Sequence, residues 1–160
     1  LSSYVAQNYG AGKYQRIRDG VRASLIQTES CNVLMCVLLL ATRNWIVPLF
    51  LEEPTAEVIR YSSQYLFAVA PFYLILGLLL VYRTAVQSMG NSKAPFAACI
   101  IELVMRIAGT FGLSAFLARF GMRYIGICLA HPLAWGGATI LLIPIYYKMT
   151  RQFGTFRKES

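Results

Sequence analysis

Two charged residues with the spacing for an ion pair lie inside an apolar stretch of the chain. Residues 94–116 are long and apolar enough to cross a bilayer, yet they contain Glu102 and Arg106. A charge near the bilayer centre costs roughly 2.5–3.5 kcal/mol on insertion scales. At a spacing of four residues the two side chains share one helix face and can reach each other. Such a face points into a helix bundle or a water-filled cavity, so other helices must surround it.

Two further charged residues are predicted at a similar depth in neighbouring helices. Counted from one side of the membrane at about 1.5 Å per residue, Glu102 and Glu29 lie about 12 Å deep and Arg83 about 10 Å. We therefore predict an intramembrane polar cluster of Glu29, Arg83, Glu102 and Arg106. The favoured interpretation is that these charges neutralise each other and fix helix register. The alternative is that one carboxylate titrates or meets a substrate during transport.

Four predicted membrane spans position these residues. The chain has 160 residues, of which 57% are hydrophobic and 14% charged, so it fits a single membrane domain and not a soluble core. The predicted fold class is an all-α, polytopic transmembrane helix bundle. The spans are approximately 21–42, 56–90, 94–116 and 124–147, followed by a tail at 148–160. The second span is too long for one straight crossing, and Pro71 predicts a kink in it.

The segments around the spans suggest a piece of a larger bundle. Residues 1–9 resemble the end of a preceding helix, so we expect the chain to be a fragment of a longer protein. Residues 45–51 are too short to cross and are predicted to lie at the interface, with the helix interrupted at Pro48. An acidic loop is predicted from Glu52, Glu53 and Glu57.

Basic residues are distributed unevenly between the two sides of this predicted bundle. The net charge is +8, but the lysines and arginines flank apolar spans, which argues for a topological role and against nucleic acid as a partner. Ten of the fifteen fall on the side shared by the 10–22 loop, the 83–93 turn and the tail. The positive-inside rule places that side, with the C-terminus, in the cytoplasm. We expect a multi-pass protein of the bacterial cytoplasmic (inner) membrane, in contact with lipid.

Metal and cofactor chemistry have little support in the sequence. The four cysteines form no CxxC pair and His131 is the only histidine, so we expect no metal site, disulfide framework or bound cofactor. We expect the cysteines to be buried as small hydrophobes and His131 to be packed and hydrogen-bonded. A stripe of small residues in the last span predicts close helix packing. It comprises Gly126, Ala130, Ala134 and Ala138.

Four segments resemble the multidrug and toxic compound extrusion (MATE) family. Its cytoplasmic loop motif is similar to QNYGAGKYQRIRDGVRASL, and its junction between two later spans is similar to YRTAVQSMGNSKAPF. The IELVMR and HPLAW segments resemble the C-terminal lobe of bacterial members. The matching positions are Gln7, Gly10, Ala11 and Arg16 in the loop and Arg83, Gln87 and Gly90 in the junction. For these residues the resemblance implies loop geometry and helix packing.

The resemblance implies a part of a twelve-helix antiporter built from two six-helix lobes. Such a protein exports small cationic or amphipathic molecules against a Na⁺ or H⁺ gradient, and this chain would run from the end of its eighth span to its C-terminus. The missing N-terminal lobe would then be a partner of this chain. Some sodium-coupled members carry an Asp in the span matching 56–90, where this chain has no acid beyond Glu57. No ion-coupling role is therefore transferred to a residue here.

Three other functions remain open from the sequence. A flippase for lipid-linked oligosaccharide or polysaccharide belongs to the same superfamily and shares the architecture. An intramembrane enzyme would need a nucleophile–base pair or metal ligands at matched depth, and one histidine with no further paired acids disfavours it. A membrane scaffold without transport activity is compatible with the buried charges.

Overall fold

The computed structural model describes residues 1–49 and 55–155, apart from the side chains of 43, 44, 47, 48 and 152–155. Over this part of the chain there are seven α-helices and no strand, which confirms the predicted all-α fold. The helices are α1 (Ser2–Gly10), α2 (Tyr14–Leu49), α3 (Ala56–Val69), α4 (Tyr73–Ser88), α5 (Lys93–Ala108), α6 (Ser114–Ala118) and α7 (Arg123–Thr155). Glu52 and Glu53 of the predicted acidic loop, and residues 156–160 of the tail, lie outside the described residues.

Four helical stretches within the described residues are long and apolar enough to cross a membrane. They are Tyr14–Thr42, Ala56–Ser88, Lys93–Ala118 and Arg123–Arg151. The 36 residues of α2 span about 54 Å, which exceeds the roughly 30 Å of a bilayer core, so one end of α2 extends beyond it. The predicted interruption at Pro48 is wrong, because α2 continues to Leu49. Trp45 is 83% exposed near that end.

Two of these stretches contain a change of helix type. Between α3 and α4 a 3₁₀ turn covers Ala70–Phe72, at the position of Pro71, which lacks the N–H that an α-helix needs. Between α5 and α6 a π-helical segment covers Gly109–Leu113. The Ser114 hydroxyl donates a hydrogen bond to the Thr110 carbonyl at the end of this segment. The 3₁₀ turn coincides with the kink expected from Pro71, whereas no sequence signal was identified for the π segment.

Helix α7 is the central element of the bundle. It packs most extensively against α5 and α4 and also contacts α2, α3 and α6. Ala134, Ala138 and Leu142 of α7 are fully buried. From α4 and α5, Val86 and Ala98 fill the same core. These apolar side chains form a continuous core along α7.

The ends of the helices group into two opposite faces of the bundle. At one face the hydroxyls of Ser2 and Ser88 are 2.8 Å apart, and the Asn91 amide lies 3.7 Å from the sulfur of Met149. At the other face the Tyr124 hydroxyl donates to the Tyr61 carbonyl at 3.1 Å. The α4–α5 turn therefore lies on the same face as the C-terminal part of α7. This agrees with the two spanning stretches, Lys93–Ala118 and Arg123–Arg151, that separate them in the chain.

Candidate functional site

The charged residues of α4 and α5 meet inside the apolar bundle. Arg83 Nη2 forms an ion pair with Glu102 Oε1, and Arg106 Nη2 lies 3.5 Å from Glu102 Oε2. The side chain of Glu102 is 12% exposed, that of Arg83 24% and that of Arg106 44%. We call these three residues the charge triad. Glu102 is its centre, because each of its oxygens faces a different guanidinium group.

The charge triad carries a net charge of +1 in a region of low dielectric. Ionisable side chains within a membrane are usually paired with an opposite charge or hydrogen-bonded. Removing one partner of a buried pair leaves the other charge uncompensated, which is more costly than the pair itself is worth. The Arg83 Nε atom is buried without a hydrogen-bond partner among the described residues. The triad thus connects α4 with α5 and leaves one positive charge without a matching carboxylate.

Glu29, the fourth residue of the predicted cluster, makes no ion pair with the triad in the described part of the chain. It lies on α2 against Gly77 of α4, where the amide nitrogen of Asn32, a hydrogen-bond donor, lies beside the carboxylate. Asn32, on the next turn of α2, donates a 3.1 Å hydrogen bond to the Tyr73 carbonyl. The structure therefore brings Arg83, Glu102 and Arg106 together and places Glu29 at a separate α2–α4 contact.

Helix geometry explains why Glu29 lies apart from the triad. Gly77 and Arg83 are six residues apart on α4, which is about 9 Å along the axis and about 120° around it. One face of α4 therefore contacts α2, while another directs Arg83 to α5. Glu29 therefore contacts α4 about 9 Å from Arg83 along the axis, and not at the common depth that the sequence predicted. The face that each neighbour covers depends on how the helices pack.

The small residues of α7 contact the α5–α6 stretch at backbone distance. A methyl group on Gly126 would lie 2.6 Å from the Cα of Ser114, and one on Gly109 would lie 3.0 Å from the Cα of Ala130. Ala134 and Ala138 are fully buried on the same helix. All four predicted packing positions are thus buried in the bundle.

A further close contact on α7 was not identified from the sequence. A methyl group on Gly137 would lie 2.0 Å from the sulfur of Met105 on α5. Gly137 lies one residue outside the four-residue spacing of the stripe, which contains Ala138. The neighbouring Gly136 has open space around it, so only one of the two glycines is required for packing.

The loop-motif positions act through their backbone in this structure. The Gln7 carbonyl accepts a 3.1 Å hydrogen bond from the Ala11 N–H, which ends α1 after Gly10. The Arg16 carbonyl accepts one from the Tyr4 hydroxyl at 3.2 Å. The turn itself uses Gly12, which is not one of the four matched motif positions and has φ +67°.

The junction positions form an equivalent turn between α4 and α5. The Gln87 carbonyl accepts a 3.0 Å hydrogen bond from the Gly90 N–H, and Gly90 has φ +85°. An L-residue with a side chain rarely adopts this left-handed conformation, so glycine is favoured at the position. Asn91 Oδ1 accepts a 3.1 Å bond from the Ala94 N–H in the first turn of α5. These contacts determine where α5, with Glu102 and Arg106, begins.

An apolar groove of about 400 Å³ opens between the two helix interruptions and α7. Its walls include Phe72 of the 3₁₀ turn, Ile75 of α4, Leu113 of the π segment and Ile140 of α7. Met105 lines it from α5, one residue before Arg106. This groove could not be predicted from the sequence, because it depends on the contact between three separate helices.

Two expectations about single residues are corrected by the structure. His131 is exposed on α7, with its ring 6.4 Å from that of Trp135, and is not a packed residue. Cys128 is buried as expected, but Cys31 and Cys99 are exposed. In a membrane-spanning bundle an exposed face can be apolar because it meets lipid, so an apolar surrounding sequence does not determine burial. Among the described residues no group of three or more His, Cys, Asp or Glu side chains converges on a common point.

Comparison with known proteins agrees with this architecture. A family model described as MatE matches residues 1–111, a range that includes the charge triad and the α2–α4 contact. No curated protein and no solved structure gave a match. The chain, a multi-pass membrane protein by its four spanning helices, belongs to the MatE family of the MATE transporter superfamily.

Proposed function

We propose that this chain is part of a secondary active antiporter that exports cationic or amphipathic compounds in exchange for Na⁺ or H⁺. The observation that carries the proposal is the charge triad, Arg83–Glu102–Arg106, which lies between spans that also contain a 3₁₀ turn and a π segment. Discontinuous helices and paired intramembrane charges are typical of transporters that work by alternating access. No catalytic residue is assigned.

The proposal includes a second, N-terminal lobe that completes the transport cavity. In alternating access, a site between two repeats opens to either side by rigid-body rocking. The exposed apolar residues of α2, among them Leu34, Val37 and Leu38, would face lipid or that lobe. The protein would lie in the bacterial inner membrane with its C-terminus in the cytoplasm, because ten of the fifteen basic residues flank that side.

A lipid-linked oligosaccharide flippase is the second candidate, and Arg106 favours it. Its side chain is 44% exposed and shares one carboxylate with Arg83, so the charge triad retains a net positive charge. Such a charge attracts the phosphate groups of an anionic lipid and repels a cationic compound. The antiporter remains the leading proposal, because Glu29 offers a carboxylate without a positive partner in the described residues.

The two candidates are separated by expressing the complete protein in bacteria that lack their own efflux pumps. An antiporter lowers the accumulation of cationic dyes such as ethidium relative to an empty-vector control. Collapsing the ion gradient with an ionophore restores accumulation. Unchanged accumulation across a panel of cations, combined with altered export of lipid-linked sugar, would replace the antiporter by the flippase. If neither quantity changes, both proposals fail.

A further inference from the structure

Two arginines line one cavity at the face of the bundle where α3 and α7 begin. Arg60 lies four residues after Ala56, the start of α3, and Arg123 is the first residue of α7. In the described part of the chain neither arginine makes an ion pair, although Glu57 lies three residues before Arg60 on the same helix. The cavity that they share has a volume of about 590 Å³. We call it the basic cavity.

Tyrosines beside the two arginines connect α3 to α7. The Arg60 guanidinium carbon lies 5.1 Å from the centre of the Tyr61 ring, and that ring lies 4.9 Å from the ring of Tyr124. The Tyr124 hydroxyl donates to the Tyr61 carbonyl at 3.1 Å. Arg60 Nη2 lies 3.4 Å from the Tyr61 hydroxyl oxygen, which accepts there and can still donate its own proton. The basic cavity therefore combines two positive charges with hydrogen-bond donors, a set that suits an anion with several oxygens.

A second cavity adjoins the basic cavity along the groove between α3 and α7. It has a volume of about 280 Å³, and Gln64 and Ile125 line both cavities. Phe67, which is 67% exposed, lines only the second one. Phe67 lies seven residues beyond Arg60, which is about 10 Å further along α3. The two cavities together are basic at one end and mainly apolar at the other.

The basic end lies at the level of the membrane surface. The spanning stretches Ala56–Ser88 and Arg123–Arg151 both begin at this face. Arg60 lies about 6 Å from the start of its stretch, whereas Phe67 lies about 16 Å from it, near the middle of a bilayer core of roughly 30 Å. In a bilayer the phosphate group of a lipid occupies the surface level and its acyl chains occupy the deeper one. The order of the two cavities matches the order of these parts of a lipid.

The charge of the basic cavity favours an anionic lipid. Guanidinium groups bind phosphate oxygens through paired, charge-assisted hydrogen bonds. The first turn of α7, which begins at Arg123, adds the positive end of a helix dipole. The ammonium group of a zwitterionic lipid would be repelled by the same charges. A small soluble anion would fill the basic cavity only and would leave the apolar one empty.

We propose that the groove between α3 and α7 binds one anionic phospholipid, with its phosphate between Arg60 and Arg123 and an acyl chain against Phe67 and Ile125. The inference concerns a lipid held at the outside of the bundle. It therefore does not rest on the proposed transport function.

The experiment titrates the complete purified protein in detergent with phosphatidylglycerol and with phosphatidylcholine of the same acyl chains, and counts bound lipids by native mass spectrometry. We expect the first phosphatidylglycerol to bind at least about tenfold more tightly than the first phosphatidylcholine. Equal affinities would overturn the site, and this comparison requires no variant. Glycerol phosphate at the same concentration should not displace the lipid. Displacement would assign the basic cavity to a soluble anion and overturn the lipid proposal.

A pair of double variants tests whether the two arginines form the site. Arg60→Gln/Arg123→Gln is expected to lower the affinity for the first phosphatidylglycerol at least about tenfold and to leave that for phosphatidylcholine unchanged. Arg119→Gln/Arg151→Gln is the matched control, because it removes the same charge from exposed arginines that do not line the basic cavity. It should change the affinity by less than about twofold. Unchanged binding in the first double variant, or equal losses in both, would overturn the site.

Discussion

Arg83 of α4 and Glu102 of α5 form an ion pair between two helices that otherwise meet mainly through α7. The two residues are 19 positions apart in sequence, across the turn at Gly90. Their contact therefore joins the two helices that the turn connects. In an apolar environment this ion pair stabilises the contact between the helices only while both charges are present.

Glu102→Gln is expected to lower the free energy of unfolding of the complete protein by about 3 kcal/mol, because both arginines lose their carboxylate. Arg106→Gln is expected to cost less than about 1 kcal/mol, since Arg106 is more exposed and its contact is longer. Denaturant or thermal unfolding in detergent measures both. An Arg83→Ala/Glu102→Ala double-mutant cycle isolates the pairwise energy. Additive effects in that cycle would show that the pair contributes no coupling.

Gly126→Ala is expected to destabilise the protein by about 1–3 kcal/mol, because the new methyl group would meet the Ser114 backbone at 2.6 Å. The Ser114 backbone cannot move away from the methyl group by a change of rotamer, as a flexible side chain can. Gly136→Ala on the same helix is the matched control. It has open space and should be neutral or stabilising by up to about 1 kcal/mol through helix propensity. Equal effects of the two substitutions would contradict the packing assigned to Gly126.

Gly12→Ala is expected to cost about 1–2 kcal/mol, because φ is +67° at this position and an alanine would be strained there. Gly10→Ala, two residues earlier, should change stability by less than about 1 kcal/mol, since Gly10 is helical and has open space around it. Unfolding midpoints of the two variants, measured side by side, test which glycine forms the turn. A larger loss for Gly10→Ala would assign the turn to the motif position predicted from sequence.

Gly77→Ala is expected to separate α2 from α4 locally, because the methyl group displaces Glu29 and Asn32. The Asn32 hydrogen bond to Tyr73 should then break. Hydrogen–deuterium exchange of peptides that contain residues 70–77 should become faster, while exchange around Ala134 in the core should stay unchanged. Unaltered exchange at the 3₁₀ turn would mean that this contact does not hold α2 against α4.

Membrane topology gives a prediction that does not depend on stability. In a cysteine-free version of the complete protein, a cysteine introduced at Gly121 should react with an impermeant maleimide added outside the cell. A cysteine introduced at Asn91 should react only after the membrane is opened. Labelling of both from the same side would contradict the four-span arrangement.

The amino-acid sequence by itself determined the elements of this protein. Apolar runs of about 20 residues identified four spans, because a bilayer of fixed thickness requires that length. Pro71 marked the 3₁₀ turn, since proline removes a backbone donor wherever it occurs. The spacing of Glu102 and Arg106 predicted their shared face, because that distance is set within one helix.

Contacts between helices were decided only by the tertiary structure. Glu29 was predicted at the depth of the triad but contacts Gly77, about 9 Å along α4 from Arg83, because the level at which two helices pack is not encoded in the residue count along either one. The Gly137–Met105 contact and the apolar groove likewise depend on how α5 packs against α7. Local spacing fixes which residues share a helix face. Which neighbouring helix covers that face depends on the packing of the whole bundle. That packing pairs Glu102 with two arginines and leaves the carboxylate of Glu29 without a counter-charge in the described structure.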